Sequence, residues 1–259
     1  MEGLALNNLF NLKGKVAVIT GASGGIGSFF SKELAQQGVK IVLNGRNEKK
    51  LEQLVTEINN TGGNALAVVG DVTKEDDAEK ILKACLDRFG TVDILVNCAG
   101  IILRIPTEEF PLEKWEQVMD INVKGTFLMC KIIGGEMIKK KSGRIINIGS
   151  VRGGFGYRGG YSAYCPSKGA IHLLTKTLAV EWAKHGILVN CIAPTFVKTE
   201  LTQEVLSNEQ FYQELINAIP LGRIATPEDL VGPLVFFSSA ASTFVTGQIL
   251  YVDGGVTAE

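Results

Sequence analysis

Short apolar runs alternate with longer stretches of helical periodicity along most of this 259-residue chain. The runs are continuously apolar, which is typical of parallel strands that are buried on both faces of a sheet. The helical stretches between them act as right-handed crossovers from one parallel strand to the next. The pattern predicts one α/β domain over residues 1–259, with three layers and a doubly wound parallel sheet of seven strands. The predicted strands are Val16–Thr20, Lys40–Asn44, Ala65–Val69, Ile94–Val96, Arg144–Ile148, Ile187–Ile192 and Gln248–Val252.

The alternation is interrupted once, after the sixth predicted strand. The segment from about residue 195 to 219 places an extra helical stretch, Glu200–Ile219, before the predicted helix Pro227–Ser238. Because insertions at the carboxyl end of a strand lie over the ligand crevice of an open α/β sheet, we expect a substrate lid at about residues 195–219.

Charge and composition narrow the kinds of partner that we expect. The 26 basic and 27 acidic residues leave a net charge of −1, which argues against nucleic acid or a charged membrane surface as a partner. No apolar run approaches the roughly 18 residues of a membrane span, and no basic stretch marks a secretory signal. The five cysteines are scattered without Cys-x-x-Cys spacing, and there are two histidines. We therefore expect a cytoplasmic protein that binds a small molecule and no metal.

Glycine is in excess, with 30 residues in the chain, where the usual usage of about 7% predicts roughly 18. Four of them fall within the seven residues 21–27, directly after the first predicted strand. Glycines there let the backbone turn tightly and approach a pyrophosphate, and the following helix offers free N–H groups to the phosphates. A turn that binds no ligand is the alternative, although turning alone requires fewer glycines. The segment predicts a dinucleotide-binding Rossmann fold, with Gly21, Ser23, Gly25, Ile26 and Gly27 against the cofactor.

The end of the second predicted strand indicates which dinucleotide binds. A site for NAD needs an acidic residue there to bind the ribose 2′-hydroxyl group. The chain instead has Asn44-Gly45-Arg46-Asn47, without a carboxylate and with a guanidinium suited to a 2′-phosphate. A surface arginine without a ligand is the alternative. We expect NADP rather than NAD, with Arg46 at the 2′-phosphate.

Tyr164 and Lys168 are four residues apart at the start of a predicted helix, so their side chains share one face. Tyrosine, with a reference pKa of about 10, is a poor base at neutral pH. A nearby lysine ammonium and a charged nicotinamide would favour the phenolate and lower that pKa. Ser150 ends the preceding strand, where an open sheet places reactive groups. The three residues predict a site of proton transfer.

These motifs together resemble the classical short-chain dehydrogenase/reductase family, over essentially the whole length of the chain. Cys98 stands where the family's Asn-Asn-Ala-Gly segment has its second Asn, and Pro194-Thr195 replaces the usual Pro-Gly. The matching motifs are Thr20-Gly21-x-x-x-Gly25-x-Gly27, Asp71-Val72, Asn97-Cys98-Ala99-Gly100, and the tetrad Asn122, Ser150, Tyr164 and Lys168.

The resemblance implies a role for each member of the tetrad. Tyr164 is the general acid/base, and Ser150 hydrogen-bonds the substrate oxygen. Lys168 holds the ribose hydroxyls and lowers the tyrosine pKa, while Asn122 supports a water that links Lys168 to solvent. The resemblance also implies cofactor contacts from Tyr164, Lys168, Asp71, Val72, Asn97, Ala99, Gly100 and Thr199.

The stretch Gly100–Arg104, with Glu109-Phe110-Pro111 and Trp115 after it, resembles the sugar-acid branch of the family. That branch includes gluconate 5-dehydrogenases and deoxygluconate dehydrogenases, whose substrates carry a carboxylate. Arginine binds carboxylates bidentately, and three arginines fall in loops at the predicted crevice. We expect the substrate at Arg104 first and at Arg152, beside Ser150 and Tyr164; Arg158 is the third arginine, and solvated surface arginines are the alternative.

The alternative activity is that of a 3-oxoacyl-carrier-protein reductase, a close relative by motif. Such enzymes tend to carry arginines on the two long helices to dock an acidic carrier protein, where this chain has Gly135 and Val180. A noncatalytic NADP-binding protein would be expected to have a broken tetrad. The family resemblance also implies a homotetramer, and we interpret Gly134-Gly135 as a site of close helix approach at a subunit face. The glycine-rich segment 149–160 is interpreted as a substrate loop.

Overall fold

Seven parallel strands form one sheet in the order β3-β2-β1-β4-β5-β6-β7, which confirms the predicted fold. The computed structural model describes residues 6–199, 202–203 and 207–258. Each predicted strand is present, with ends that move by no more than two residues. The strands are β1 Val16–Thr20, β2 Lys40–Gly45, β3 Asn64–Val69, β4 Ile94–Asn97, β5 Gly143–Ile148, β6 Ile187–Pro194 and β7 Ile249–Val252.

Helices cover both faces of the sheet. Of the predicted lid helix, residues 209–217 are helical, while residues 200–201 and 204–206 lie outside the described part of the chain. No helix of the described ranges combines the length and apolar character that a membrane crossing requires. The helices are α1 Leu6–Leu9, α2 Gly25–Gln36, α3 Glu48–Asn60, α4 Glu75–Phe89, α5 Leu112–Met119, α6 Gly125–Lys140, α7 Tyr164–Trp182, α8 Glu209–Asn217 and α9 Val231–Ser238.

The sheet separates two apolar layers, and this explains why its strands are continuously apolar. Every residue of β1 is buried, with Ala17 and Ile19 facing one layer and Val16 and Val18 facing the other. The first layer is packed by α2, α3 and α9, and the second by α4, α6 and α7. Each large side chain buried in these layers stabilises the fold by roughly 1.5–3 kcal/mol. The rigid sheet thus holds the ends of its strands in place.

The predicted helical stretch from about Leu112 to Lys141 is not one regular helix. A π-helical turn, Asp120–Lys124, joins α5 to α6 and contains Asn122 near its centre. Such turns widen the helix locally and often occur at functional sites. Here the turn carries Asn122 towards Ile101 and Ser167.

Candidate active site

A cleft of about 870 Å³ opens at the carboxyl edge of the sheet. Strands β2 and β3 lie on one side of β1, and the chain then crosses back so that β4 pairs with the other side of β1. A doubly wound sheet opens a crevice at such a reversal, because crossovers on the two sides leave in opposite directions. The cleft is lined by residues within 21–27, 44–47, 98–102, 148–152 and 194–199, which are strand ends and the loops that follow them.

The glycines of the turn after β1 have two different physical roles. Gly21 has φ +64°, and a Cβ atom there would lie 2.8 Å from the backbone nitrogen of Ala99. A Cβ at Gly27 would collide with the carbonyl oxygen of Gly21. Gly24, by contrast, lines the cleft with nothing within 4 Å of the Cβ position. Packing therefore requires Gly21 and Gly27, whereas Gly24 leaves open space in the cleft.

Helix α2 begins at this turn, and its first residue lines the cleft. No side chain caps the helix, since its N-cap residue is Gly24. The unpaired N–H groups and the helix dipole favour an anion at this position. The turn therefore has both the space and the polarity for a phosphate group.

Arg46 and Asp71 lie together at the opposite end of the cleft from the predicted proton-transfer residues. Burial would raise the pKa of the Asp71 carboxyl, but hydrogen bonds from Thr73 and the positive charges of Arg46 and Lys74 hold it below its usual value. Arg46 is exposed on the cleft rim, and Asn44 is buried, donating to the carbonyl oxygens of Val68 and Gly70. The Arg46 guanidinium is thus the charged group at the end of β2.

Tyr164, Ser150 and Lys168 meet in the cleft, as the helical spacing predicts. Tyr164 begins α7, and Lys168 follows one turn later with its Nζ atom 5.7 Å from the Tyr164 ring centroid. Ser150 ends the loop after β5, and its Oγ atom accepts a 3.2 Å hydrogen bond from the backbone N–H of Arg152. Lys168 is buried and donates a 2.8 Å hydrogen bond to the carbonyl oxygen of Ile148. The strand end and the helix together hold these three side chains.

Burial acts on the pKa values of both Tyr164 and Lys168. Burial raises the pKa of Tyr164 above its usual value, while the hydrogen bond with Ser150 acts in the opposite direction. Burial lowers the pKa of Lys168 to about 8. Burial therefore acts on the pKa of Tyr164 in the direction opposite to the effect that the resemblance implies for Lys168, and it favours the uncharged phenol. A neutral phenol can donate a proton.

The chain also matches known proteins. The model of the short chain dehydrogenase family matches residues 15–210, which include the glycine-rich turn and the group of Ser150, Tyr164 and Lys168. The chain belongs to the short-chain dehydrogenase family.

Individual members of the family resemble the chain over nearly its full length. It is 41% identical to a gluconate 5-dehydrogenase from Gluconobacter oxydans, over 96% of the chain and 97% of that protein. It is 37% identical to a 5-keto-D-gluconate 5-reductase from Escherichia coli, over 97% of the chain and 98% of that protein. Among solved structures, a gluconate 5-dehydrogenase from Burkholderia cenocepacia in complex with NADP and tartrate superposes with a TM-score of 0.93. The two chains are 37% identical, with 97% and 98% covered.

Most of the expected cofactor contacts line the cleft of this short-chain dehydrogenase. Thr199 also lies there, 3.7 Å from the position of a Cβ atom on Gly25. The predicted residues that line the cleft are Gly21, Ser23, Gly25, Ile26, Gly27, Arg46, Asp71, Val72, Ala99, Gly100, Arg104, Ser150, Arg152, Tyr164, Lys168 and Thr199.

Asn122 lies behind the cleft wall rather than in it. Its Oδ1 atom accepts from the backbone N–H of Ile101 at 2.8 Å, and its Nδ2 atom donates to the Ile101 carbonyl and to Ser167 Oγ, each at 2.9 Å. A Cβ atom on Gly100 would lie 3.3 Å from Asn122 Oδ1 and 3.6 Å from Lys168 Nζ. Asn122 therefore joins the Gly100–Ile101 loop to α7, next to the lysine.

Asn97 is the expected cofactor contact whose side chain lies apart from the others. Its buried side chain does not line the cleft, and Nδ2 donates instead to Asn147 Oδ1 at 2.9 Å. Asn147 in turn donates to Thr175 Oγ1 at 2.9 Å. Because alternate residues of a strand face opposite sides of the sheet, this side chain links β4, β5 and α7 below the site.

Two of the three arginines in the loops line the cleft of the short-chain dehydrogenase: Arg104 and Arg152, but not the exposed Arg158. Within the described residues, neither cleft guanidinium donates a hydrogen bond or pairs with a carboxylate. Among the described residues, the charged side chains that line the cleft are Arg46, Lys50, Arg104, Arg152 and Lys168, with Asp71 as the acidic one. The cleft is strongly basic in a chain whose net charge is −1.

The glycine-rich segment before α7 is closely packed at several positions. A Cβ atom on Gly149 or Gly153 would lie 2.6 Å from the His172 ring, and one on Gly160 would lie 2.6 Å from Ile105 N. Gly160 also has φ +80°, which favours glycine. A Cβ atom on Gly134 would lie 2.6 Å from the Trp182 ring, so this glycine allows α6 and α7 to approach closely. These glycines therefore allow close approach within the subunit.

Three aromatic residues of the site were missed in the sequence: Tyr161, Phe196 and Phe211. All three rings surround the Arg104 guanidinium, whose Cζ atom is 5.2 Å, 5.6 Å and 5.5 Å from their respective centroids. The close spacing of Tyr157, Tyr161 and Tyr164 in the sequence is a signal that could have found the first of them.

Proposed function

We propose that this short-chain dehydrogenase transfers a hydride between NADP and a secondary alcohol or ketone of a sugar acid, as a gluconate 5-dehydrogenase does. The observation that carries the proposal is the presence in one cleft, with Ser150 and Tyr164, of two guanidinium groups that have no polar partner among the described residues, Arg104 and Arg152. An arginine without an internal partner can bind a substrate carboxylate bidentately. The names of the relatives, gluconate 5-dehydrogenase and 5-keto-D-gluconate 5-reductase, support the same substrate class.

NADP is the cofactor that the cleft fits. The open space at Gly24 and the uncapped start of α2 suit a pyrophosphate, and the exposed guanidinium of Arg46 suits a 2′-phosphate. Further contacts are proposed from Asp71, Val72, Gly100 and Thr199, which line the rest of the cleft. The Burkholderia cenocepacia enzyme, in complex with NADP and tartrate, supports this choice over NAD. Residues 1–259 are proposed to form one NADP-binding domain, with a substrate lid at about 195–219.

The proposed mechanism uses the neutral phenol of Tyr164. When bound, the nicotinamide supplies the hydride for ketone reduction or accepts it for alcohol oxidation. In reduction, Ser150 donates a hydrogen bond to the substrate oxygen and Tyr164 gives that oxygen its proton. Lys168 is held against the Ile148 carbonyl, close enough to Tyr164 to stabilise the phenolate that proton transfer leaves. Asn122 positions the adjoining loop and helix without reaching the substrate.

An assay of ketone reduction tests this function against the carrier-protein alternative. The positions that would hold docking arginines are Gly135, beside which there is open space, and Val180, which is 82% exposed and uncharged. We expect NADPH oxidation with 5-ketogluconate and little with an acetoacetyl thioester. Turnover of the thioester alone would contradict the proposal. Tight NADP binding without turnover of either ketone would instead favour a noncatalytic protein.

We also propose a homotetramer in the cytoplasm. Exposed apolar side chains lie on the two long helices, with Phe127 on α6 and Leu173 and Val180 on α7, and Phe244 is exposed near β7. Subunit contacts would remove these apolar side chains from water. The five cysteines are free thiols, which suits a reducing compartment. Light scattering tests the assembly, since a tetramer has four times the 27.9 kDa mass of one chain.

A further inference from the structure

Tyr161 is a buried residue of the loop before α7, and its side chain lines the cleft. Its ring packs edge-to-face against the Tyr164 ring, with 6.4 Å between the centroids. The Cζ atom of Arg104 lies 5.2 Å from the centroid of the Tyr161 ring, and that of Arg152 lies 5.9 Å from it. One ring thus contacts both guanidinium groups and the proposed acid/base residue.

Aromatic rings surround both guanidinium groups. An arginine side chain has many rotamers, and fixing one costs conformational entropy. Neither Arg104 nor Arg152 has a hydrogen bond or ion pair through its guanidinium within the described residues. The Arg152 guanidinium packs on Tyr157 at 3.2 Å, and that of Arg104 on the lid residues Phe196 and Phe211. The Tyr161 ring is the contact that the two arginines share.

The backbone supports the same arrangement. The N–H group of Ile105 donates a 3.2 Å hydrogen bond to the carbonyl oxygen of Gly160, which joins the loop of Arg104 to the loop of Tyr161. A Cβ atom on Gly160 would lie 2.6 Å from that nitrogen, so the contact is close. The distance between Arg104 and the Tyr161 ring is therefore set by backbone as well as side-chain contacts.

We propose that Tyr161 is a positioning residue for substrate specificity, whose ring sets the two guanidinium groups at a defined distance from Tyr164. The carboxylate at one end of the substrate then binds Arg104 and Arg152, while the ketone of the same substrate reaches Ser150 and Tyr164. The inference rests on the proposed function. It adds that the site selects a sugar acid by the distance between its carboxylate and the alcohol or ketone that reacts. The aromatic ring of Tyr161, rather than its hydroxyl group, positions the two guanidinium groups.

Steady-state kinetics of three variants test the proposal. We expect Tyr161→Leu to raise KM for 5-ketogluconate roughly 3- to 30-fold, the range expected for lost cation–π contacts. Its kcat should stay within about threefold of the wild type, since hydride and proton transfer use other groups. Tyr161→Phe, which keeps the ring, should restore KM. Tyr212→Leu is the matched control, because Tyr212 packs in the lid cluster without a guanidinium on its ring among the described contacts.

Each alternative outcome overturns the inference. A fall in kcat with unchanged KM would mean that Tyr161 acts on Tyr164 rather than on the arginines. Equal losses in Tyr161→Phe and Tyr161→Leu would assign the effect to the hydroxyl group. An equal rise of KM in Tyr212→Leu would assign it to the lid in general.

Calorimetric titration with tartrate, with NADPH bound, separates this inference from the proposed function. If the wild type binds tartrate but does not reduce 5-ketogluconate, the proposed function fails. Roughly 3- to 30-fold weaker tartrate binding by Tyr161→Leu would then still support the positioning role. Unchanged binding by that variant, or a wild type that binds no tartrate, would overturn it.

Discussion

Lys168 Nζ donates a 2.8 Å hydrogen bond to the carbonyl oxygen of Ile148, which joins α7 to the end of β5. Ile148 is two residues before Ser150, and Lys168 is one helical turn after Tyr164, so the bond holds the buried ammonium group close to both. The Nζ atom lies in the cleft near Gly100, where a Cβ atom would be 3.6 Å from it and 3.3 Å from Asn122 Oδ1. The catalytic proposal depends on this placement.

Replacing this lysine should remove catalysis without unfolding the protein. We expect Lys168→Met to lower kcat for 5-ketogluconate by about 100-fold or more, because the phenolate left by Tyr164 loses its stabilising cation. The Ile148 carbonyl loses its partner, at a cost of about 1–3 kcal/mol. Kinetics and circular dichroism measure the two effects. Lys176→Met, an exposed position of the same helix, is the control, and a kcat within threefold of the wild type in Lys168→Met would contradict the mechanism.

The cofactor preference should depend on Arg46. We expect Arg46→Asp to weaken NADPH binding about 10- to 100-fold, the range for a charge-assisted hydrogen bond, and to leave NADH binding unchanged or stronger. Fluorescence titration with both cofactors measures the change. Arg158→Asp makes the same charge change at an exposed position outside the cleft. An unaltered NADPH affinity in Arg46→Asp would show that the 2′-phosphate binds elsewhere.

Two glycines of the turn after β1 should respond differently to alanine. Gly27→Ala places a Cβ against the Gly21 carbonyl, so we expect a large loss of thermal stability or of folded protein. Gly24→Ala meets nothing in the chain, so its melting temperature should stay near that of the wild type. Because the added methyl group would enter the cleft, NADPH affinity should fall about tenfold. Equal destabilisation by the two substitutions would contradict the assignment of Gly24 to the cofactor.

His172 should make the fold sensitive to acid. Burial, together with the positive charges of Lys168 and Lys176, lowers its pKa to about 4. The imidazole of the unfolded chain, with a pKa of about 6.5, binds a proton first as the pH falls. The free energy of unfolding should therefore decrease between about pH 6.5 and pH 4, by up to roughly 3 kcal/mol from this group.

Urea denaturation across that pH range measures the effect of His172. We expect His172→Gln to flatten the decrease between pH 6.5 and 4, since glutamine does not titrate. His185→Gln, in the short turn after α7, serves as the control and should keep the wild-type slope. A slope in His172→Gln equal to that of the wild type would assign the acid sensitivity to other groups.

The strands and the proton-transfer pair could be predicted because their patterns are local. The apolar run Val16–Thr20 is buried in full, and its ends are the predicted ones. Tyr164 and Lys168 share a helix face because four residues make about one turn. The glycines at 21 and 27 were found in the same way, since a phosphate turn follows a strand at a fixed spacing.

Side-chain direction and distant contacts were decided by the tertiary structure. Asn97 belongs to a matching motif, yet its side chain turns away from the cleft to donate to Asn147, 50 residues further along the chain. The sequence alone determined the sheet, the phosphate turn and the helix face of Tyr164 and Lys168, because neighbouring residues specify them. Only the packed chain decided that Arg104 lies on Tyr161 and that His172 fills the space beside Gly149 and Gly153. Such contacts depend on how separate loops and helices meet, which no local periodicity encodes.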